Sequence, residues 1–374
     1  MQEKFSLKDH LFNEGKVRYL AGLLGAAWTD FDSKAFVQDV MREMPNLELK
    51  DRIRHIARVL AEHLPDDYES ATSIVVWSLP PPLDPTKTDD DFGDFIFAPF
   101  GEFVATVGCT KDRLDMSLQT LRQLTMRFSM EDAIRSFLRE FPNETMMSLS
   151  QWVSDDNYHV RRLVSEGTRP LLPWSGRVPQ TAEETLPLLH ALHADNTRYV
   201  TRSVANHLND IAKKNPDLVI EILRRWQSEG KQNEKELTWM TKHALRTLIK
   251  NGHKDTLALL GYTDTAFVLD SFSVSPETVQ GGEVVSLTVA LTASADTNLL
   301  IDYVIHFVKK NGSTTPKVFK WKIVSLKHGE SLHLTKNHRL KMDATTFTLY
   351  PGTHRVELQV NGKIEAGSDF VLEV

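Results

Sequence analysis

The sequence predicts a multidomain chain that is first α and then β: a HEAT-like α-helical solenoid followed by an immunoglobulin-like β-sandwich. Two stretches in the middle are versions of one another, Asp156-Asn157-Tyr158-His159-Val160-Arg161-Arg162-Leu163-Val164 and Asp195-Asn196-Thr197-Arg198-Tyr199-Val200-Thr201-Arg202-Ser203-Val204. Val160 and Val200, Arg162 and Arg202, and Val164 and Val204 correspond at an offset of about 40 residues, within the period range of helix-pair solenoids. Apolar residues recur at helical spacing up to about residue 260, and after Gly261 the pattern changes to short β-branched runs parted by turn signals. The expected domains are 1–262 and 263–374.

Each helix follows from local spacing. Ile53, Ile56, Val59 and Leu60 form one stripe that ends at Leu64-Pro65, and the segment from Tyr68 to Leu79 runs into Pro80-Pro81-Pro82, which cannot continue a helix. Residues 80–95 join that proline run to Asp89-Asp90-Asp91 and Asp94, the composition of a solvated loop. Ile134, Phe137, Leu138 and Phe141 share a face of a helix expected to stop at Pro142. Residues 144–154, 157–168, 182–193, 197–213, 217–228 and 234–250 are further helical candidates.

Seven or eight strands are expected in the last 110 or so residues, including Val284 to Val289, Leu300 to Phe307, Val318 to Ile323 and His354 to Val360. Gly281-Gly282, Asn311-Gly312, Pro351-Gly352 and Asn361-Gly362 mark turns between several of them. With Trp321 available for the core, this suggests an immunoglobulin-like sandwich without the disulfide.

Composition excludes several classes. At 374 residues, 41% hydrophobic and 25% charged, the chain has ordinary globular composition. The first ten residues carry charges where a signal peptide needs an apolar core, and no run approaches membrane-spanning length, so a cytoplasmic location is expected. The single cysteine, Cys109, rules out an internal disulfide and a cysteine-rich metal site. The net charge of −6 conceals a gradient: residues 1–115 carry 13 Lys+Arg against 21 Asp+Glu, and 196–263 carry 12 against 7. A local basic surface is therefore compatible with the acidic average.

Polar stripes accompany the apolar ones. In the second repeated copy Arg202, Asn206 and Asp210 lie at four-residue steps beside Val200, Val204, Leu208 and Ile211, and the first copy has Arg162 and Glu166 in that place. Glu131, Arg135 and Arg139, and Lys242, Arg246 and Lys250, repeat the spacing. One reading is an extended basic surface with carboxylates set into it. The other is a set of solvated helix pairs contributing about 0.2–0.5 kcal/mol each, with Asp-Asn as helix caps. A basic groove neutralises phosphates without reading sequence. Carboxylates within it would repel DNA unless they stabilise positive charge on a sugar or position water.

Particular segments carry a resemblance. They are Phe5-Ser6-Leu7-Lys8-Asp9, Leu49-Lys50-Asp51-Arg52-Ile53, Pro99-Phe100-Gly101-Glu102-Phe103-Val104, Arg127 to Arg135, Val164 to Pro170 with Pro173-Trp174, and Ser203 to Lys213. On these the chain resembles the AlkC-type DNA alkylation-repair glycosylases, relatives of the AlkD-type HEAT-like enzymes, some of which also carry an immunoglobulin-like domain at the carboxyl end. The resemblance implies excision of bases methylated at ring nitrogen, such as 3-methyladenine and 3-methylcytosine, from double-stranded DNA, by a monomer without cofactor or metal. It implies Glu166, Glu131 and Asp210 as the catalytic carboxylates, Glu166 foremost, and Trp174 packed near the lesion. Arg161, Arg162, Arg202 and Arg246 are the candidate phosphate contacts. Asn206 stands where AlkD-type enzymes place a tryptophan, so a carboxylate-rich site is expected in place of an aromatic cradle. Lys309, Lys310, Lys317, Lys320 and Lys322 would either reach DNA or guard a strand edge against pairing. The competing functions are a non-catalytic HEAT-repeat scaffold binding DNA or protein, and a DNA-binding but inactive relative.

Overall fold

The computed structural model describes residues 5–84, 86–87, 92–262, 266–342 and 347–373. The Asp89-Asp90-Asp91 part of the acidic loop lies outside them. In chain order the helices are α1 (Leu7–Leu11), α2 (Glu14–Ala27), α3 (Ser33–Glu43), α4 (Leu49–His63), α5 (Tyr68–Trp77), α6 (Ala98–Val107), α7 (Leu114–Thr125) and α8 (Ile134–Glu140). They continue with α9 (Pro142–Trp152), α10 (Tyr158–Gly167), α11 (Ala182–Leu192), α12 (Arg198–Ala212), α13 (Pro216–Glu229), α14 (Glu234–Ala244), α15 (Arg246–Lys250) and α16 (Lys254–Leu259). Among the described residues no helix is long and apolar enough to cross a membrane. The chain divides into two compact units, one of residues up to Asn215 with Ile222–Ala244, the other of Pro216–Glu221 with Leu245–Val374.

In the helical unit the repeated helices are α10 and α12. Val160, Leu163 and Val164 in the first, and Val200, Val204, Leu208 and Ile211 in the second, are buried on the face their spacing predicts. The copies differ at their starts. Asn157 caps α10 by accepting from the His159 N–H, whereas the extra Thr197 occupies the cap of α12 and makes no side-chain cap bond. Asp195 instead accepts from the Thr197 N–H and hydroxyl, at 2.8 Å each.

Neighbouring repeats are tied by a ladder of ion pairs that spacing on one helix does not reveal. Arg122 of α7 meets Asp155 at 2.6 Å, Arg161 of α10 meets Asp195 at 2.6 Å, and Arg198 of α12 donates to Glu236 of α14 at 2.7 Å. Pro142, expected to stop a helix, opens α9 at its first position, where its missing N–H costs nothing. The stripe of α4 holds for Ile56, Val59 and Leu60, while Ile53 is only half-buried and Arg52 is buried instead. The Arg52 guanidinium donates to the carbonyls of Leu47, Lys8, Phe12 and Pro45 and pairs with Asp9 at 2.6 Å.

The second unit carries the sandwich: β1 (Phe267–Ser275), β2 (Thr278–Gln280), β3 (Val284–Ala293), β4 (Thr297–Val308), β5 (Thr314–Leu326), β6 (Ser331–Arg339), β7 (Gly352–Val360) and β8 (Lys363–Glu373). One sheet runs β1-β3-β6 and the other β2-β8-β7-β4-β5. Phe267 to Leu269 and Phe272 to Val274 belong to a single strand with an irregularity between Leu269 and Ser271. Asn361-Gly362, both at positive φ (44° and 78°), makes the two-residue turn from β7 to β8. Leu287, Tyr303, Ile305, Val356 and Phe370 fill one part of the core and Leu291, Ile301, Leu358 and Val360 another. Trp321, expected to be available for the core, lies on the edge strand β5 and is half-buried against both clusters.

Asp302 of β4 is 2% exposed, sits opposite Lys320, and leaves its Oδ1 without a hydrogen-bond partner. Burial pushes its carboxyl up to about 6, against the pull of Lys320, the Trp321 N–H and Lys250. A raised carboxyl destabilises the fold when ionised, above its folded pKa. That cost is relieved as pH falls from about 6 toward its ordinary 3.8. Asp302→Asn is therefore expected to stabilise the protein at pH 7 by about 2–3 kcal/mol, and to lose that advantage near pH 4. Denaturant unfolding of the full chain followed by β-sheet circular dichroism checks it, and an equal effect at both pH values would refute the assignment.

Candidate active site

Glu166 occupies the last turn of α10, one residue before Gly167. A Cβ on Gly167 would come within 2.6 Å of Ile134 Cγ2, so the glycine lets the end of α10 close on α8. The chain then turns through Thr168 and Arg169. Arg135 pins that turn: its buried guanidinium donates to the carbonyls of Gly167 (2.9 Å), Arg169 (2.8 Å) and Gly176 (2.6 Å). Arg135 is thus an internal brace rather than part of a polar surface stripe. Glu131 precedes α8, so the Glu131, Arg135 and Arg139 spacing is not that of one helix.

The brace delivers Arg169 between two carboxylates. Its Nη1 donates to Glu166 Oε1 at 2.6 Å and its Nε to Asp210 Oδ2 at 3.0 Å, while Ser203 donates to Glu166 Oε2 at 2.6 Å. Lys213 adds a 3.1 Å contact to Asp210. Burial pushes the Glu166 carboxyl up, but Arg162, Arg169 and the bonds from Ser203 and Arg169 outweigh it and hold the group below the ordinary glutamate range. Arg162 is anchored on the other side, donating to Glu131 Oε2 at 2.5 Å and Ser129 Oγ at 2.6 Å, with Glu166 Oε1 at 3.7 Å. Burial works against its charge, and Glu131 and Glu166 more than restore it.

Aromatic rings complete the site. The Arg162 guanidinium lies 4.7 Å from the Tyr199 ring centre and 5.4 Å from that of Phe92. A cavity of about 260 Å³ is lined by Glu131, Glu166, Arg162, Arg169, Tyr199 and Trp174, with Phe92, Arg202, Ser203 and Asn206 also on its wall. Trp174 is 76% exposed and holds a left-handed backbone (φ 65°), with its carbonyl accepting from Lys50 Nζ. Asn206 Oδ1 meets His243 Nε2 at 2.8 Å, and His243 stacks on Trp239. His207, buried behind the carboxylates, donates from Nδ1 to the Ser165 carbonyl at 3.1 Å; burial lowers its pKa to about 4, so it is neutral at pH 7.

Of the residues expected from sequence, Glu131, Glu166, Arg162, Arg202, Asn206 and Trp174 meet at this one cavity. Asp210 lies directly behind it, reached through Arg169. Arg161 points elsewhere, gripping Asp195 and the carbonyls of Asp155 and Asp156 as a rung of the inter-repeat ladder. Lys242 belongs to α14 and Arg246 opens α15 in the other compact unit, so their four-residue spacing is interrupted at Leu245. Sequence reading missed Arg169, Tyr199, Phe92 and Ser203 as members. Arg169 stands in the quoted run three residues after Glu166, a legible ion-pair spacing. Asn206 is no aromatic, yet Tyr199, Phe92 and Trp174 supply aromatic surface from other elements, so the site is both carboxylate-rich and aromatic.

Comparison with known proteins bears on the family and the fold. Residues 120–248 match the family described as DNA alkylation repair enzyme, and residues 268–374 match the C-terminal Ig-like domain of the uncharacterised protein YhaZ. Over 365 residues the chain is 31% identical to the uncharacterised protein YhaZ of Bacillus subtilis strain 168, spanning 96% of this chain and 98% of that one. Its structure is similar to that of the Pseudomonas fluorescens alkylpurine DNA glycosylase AlkC bound to DNA containing an abasic site analog. The TM-score is 0.89 and the identity 32%, over 99% of this chain and 100% of the other.

Proposed function

Because this chain belongs to the AlkC-like DNA alkylation repair family, we propose that it is a DNA glycosylase excising N3-methylated bases, 3-methyladenine and 3-methylcytosine, by hydrolysis of the N-glycosidic bond. The observation that carries this is Glu166: a carboxylate held ionised by Arg162, Arg169 and Ser203 on the wall of a cavity flanked by Trp174 and Arg202. Methylation at a ring nitrogen makes the base a cation and a good leaving group, so no general acid is needed. The bond's electron pair returns to the base, and positive charge develops on the sugar. Fixed carboxylates facing C1′ stabilise that charge without reorganising.

Glu131 has the most open carboxylate of the three, with 28% of its side chain exposed against 5% for Glu166 and 2% for Asp210. It suits the task of orienting the water that adds to C1′, whose proton is released as the bond to oxygen forms. Asp210 acts through Arg169, as a positioning residue. Arg202 and Asn206 supply phosphate and backbone contacts beside the lesion, and Trp174 packs against it. Neither Arg161, already engaged within the fold, nor Arg246 is needed for this reading. The protein works as a monomer on double-stranded DNA in the cytoplasm.

The test is release of 3-methyladenine from methylated duplex DNA by the intact protein, read by chromatography of the freed bases. Lys320→Ala, on the sandwich edge, is expected to retain release. No release by well-folded protein would sink the glycosylase reading.

A further inference from the structure

Beside the active-site cavity lies a second, more apolar one of about 220 Å³, and Phe92, Glu131 and Trp174 form walls of both. Four of the segments singled out in the sequence converge on it, from distant parts of the chain. Leu49, Lys50 and Ile53 come from the start of α4, Glu102 from α6, residues 128–133 from the turn before α8, and Pro173-Trp174 from the loop after α10. This explains why Ile53 departs from the buried stripe of its helix: it faces a cavity rather than core.

The walls have a particular chemistry. Phe95 and Phe128 stand 4.6 Å apart between ring centres, and the exposed Trp174 is also on the wall. Lys50 ties the rim by donating to the Trp174 carbonyl and lying 3.3 Å from Asp132, which accepts from Ser175. Besides Glu131 and Asp132, the lining holds the carboxyl of Glu102, whose pKa burial raises despite Arg54 and Lys50. Its oxygens can accept from the exocyclic amino group of a base.

We propose that this second cavity is a product site, which receives the released methylated base as a neutral, planar molecule once the glycosidic bond is cut. The inference rests on the glycosylase reading. The balance of the reaction favours it: cationic nucleotide and water give a neutral base, a sugar hydroxyl and a proton. The base therefore loses its charge at the step that frees it, and with it the solvation that would oppose entry between Phe95, Phe128 and Trp174. A shared wall at Phe92, Glu131 and Trp174 makes the transfer a short one.

Isothermal titration of the intact protein with free 3-methyladenine tests the idea, together with single-turnover excision from methylated DNA in the same preparation. One saturable site is expected, with Kd on the order of 100 μM for so small a ligand. Ala98→Leu, which fills the cavity from α6, is expected to weaken it at least tenfold, and the volume-conserving Glu102→Gln about threefold. Both should leave single-turnover excision within twofold of wild type. Excision without saturable base binding overturns the product site and leaves the glycosylase reading standing. Base binding without excision leaves a base-binding cavity but overturns both the glycosylase reading and the product assignment. Binding undiminished in both variants overturns the location. Single-turnover excision slowed more than threefold by Ala98→Leu would place the cavity on the substrate path and overturn its assignment to product.

Discussion

Glu166→Gln is expected to lower the rate of base release by roughly 100-fold to 1000-fold, the loss typical of removing one preorganised electrostatic partner of a transition state, while DNA affinity stays close to wild type and the fold loses some stability because Arg162 and Arg169 keep less countercharge. The glutamine keeps the size of the side chain, its one carbonyl oxygen can still accept from Arg169 Nη1, and its amide nitrogen can donate to the Ser203 hydroxyl, the two groups that now hold Glu166 at 2.6 Å each. What it loses is the negative charge. The wild-type group is held below the ordinary glutamate value of 4.5, so its ionised form persists from neutral pH down through that value. Wild-type single-turnover excision should accordingly show no acid limb between pH 7 and pH 5 attributable to this residue. Quench-flow measurement of base release across that range checks both statements. A variant within tenfold of wild type would move the principal catalytic role to Glu131.

Arg169→Ala carries the largest expected cost in stability. Arg169 is 7% exposed and stands between Glu166 and Asp210, which are 4% exposed each. Removing one partner of a buried ion pair costs about 3–5 kcal/mol, because the remaining charge is left uncompensated. Here two carboxylates lose a partner, although Lys213 still serves Asp210 and Arg162 lies near Glu166. A depressed carboxyl stabilises the fold above its unfolded pKa, and that contribution disappears as pH falls through the folded pKa. The difference between wild type and Arg169→Ala should therefore be full at pH 7 and shrink only below the ordinary glutamate value of 4.5, so pH 7 is compared with about pH 3. Denaturant titration at both pH values measures it. A loss below about 1 kcal/mol, or one independent of pH, would show that Arg169 is not the charge partner the geometry makes it. Arg169→Lys should recover only part of the loss, since an ammonium cannot reach both carboxylates as the planar guanidinium does.

The order of domains was legible because periodicity is a property of a single element. Val160, Val164, Val200, Val204 and Leu208 had to share a side once their helices formed, and the alternation in β3 and β7 had to put Leu287 and Val356 inside. Glu131, Glu166 and Asp210 were singled out by resemblance, through runs too specific for an ordinary helix, and the structure brings Glu131 and Glu166 to one cavity with Asp210 behind it. What spacing could not supply was the partner across a gap between elements. Arg161 and Arg162 are neighbours in sequence, yet one braces the next repeat through Asp195 and the other faces the cavity between Tyr199 and Phe92. Arg135 looked like a groove residue by its distance from Glu131, but Glu131 sits ahead of the helix and Arg135 turns inward to three carbonyls. Phe92 stands far from the repeats in sequence, and no periodic pattern could have carried it to their surface. Trp321 was expected to be available for the core, and it packs against both core clusters from the edge. An edge strand beside a lysine-bearing face lets it pack by one side only.

The ladder of ion pairs between repeats bears on how the chain reaches this structure during synthesis. Its rungs span 33, 34 and 38 residues, so each can close as soon as the next helix pair has emerged. Assembly can then advance from one end with only short loops to close. Glu166 and Asp210 meet Arg169 through a single docking step, that of α12 on α10. The sandwich has no such progression. Thr278 of β2 pairs with Val371 of β8, so its sheet waits for more than ninety further residues to leave the ribosome. A nascent chain arrested shortly after α14 would already hold its carboxylate cluster, with the β-domain still to come.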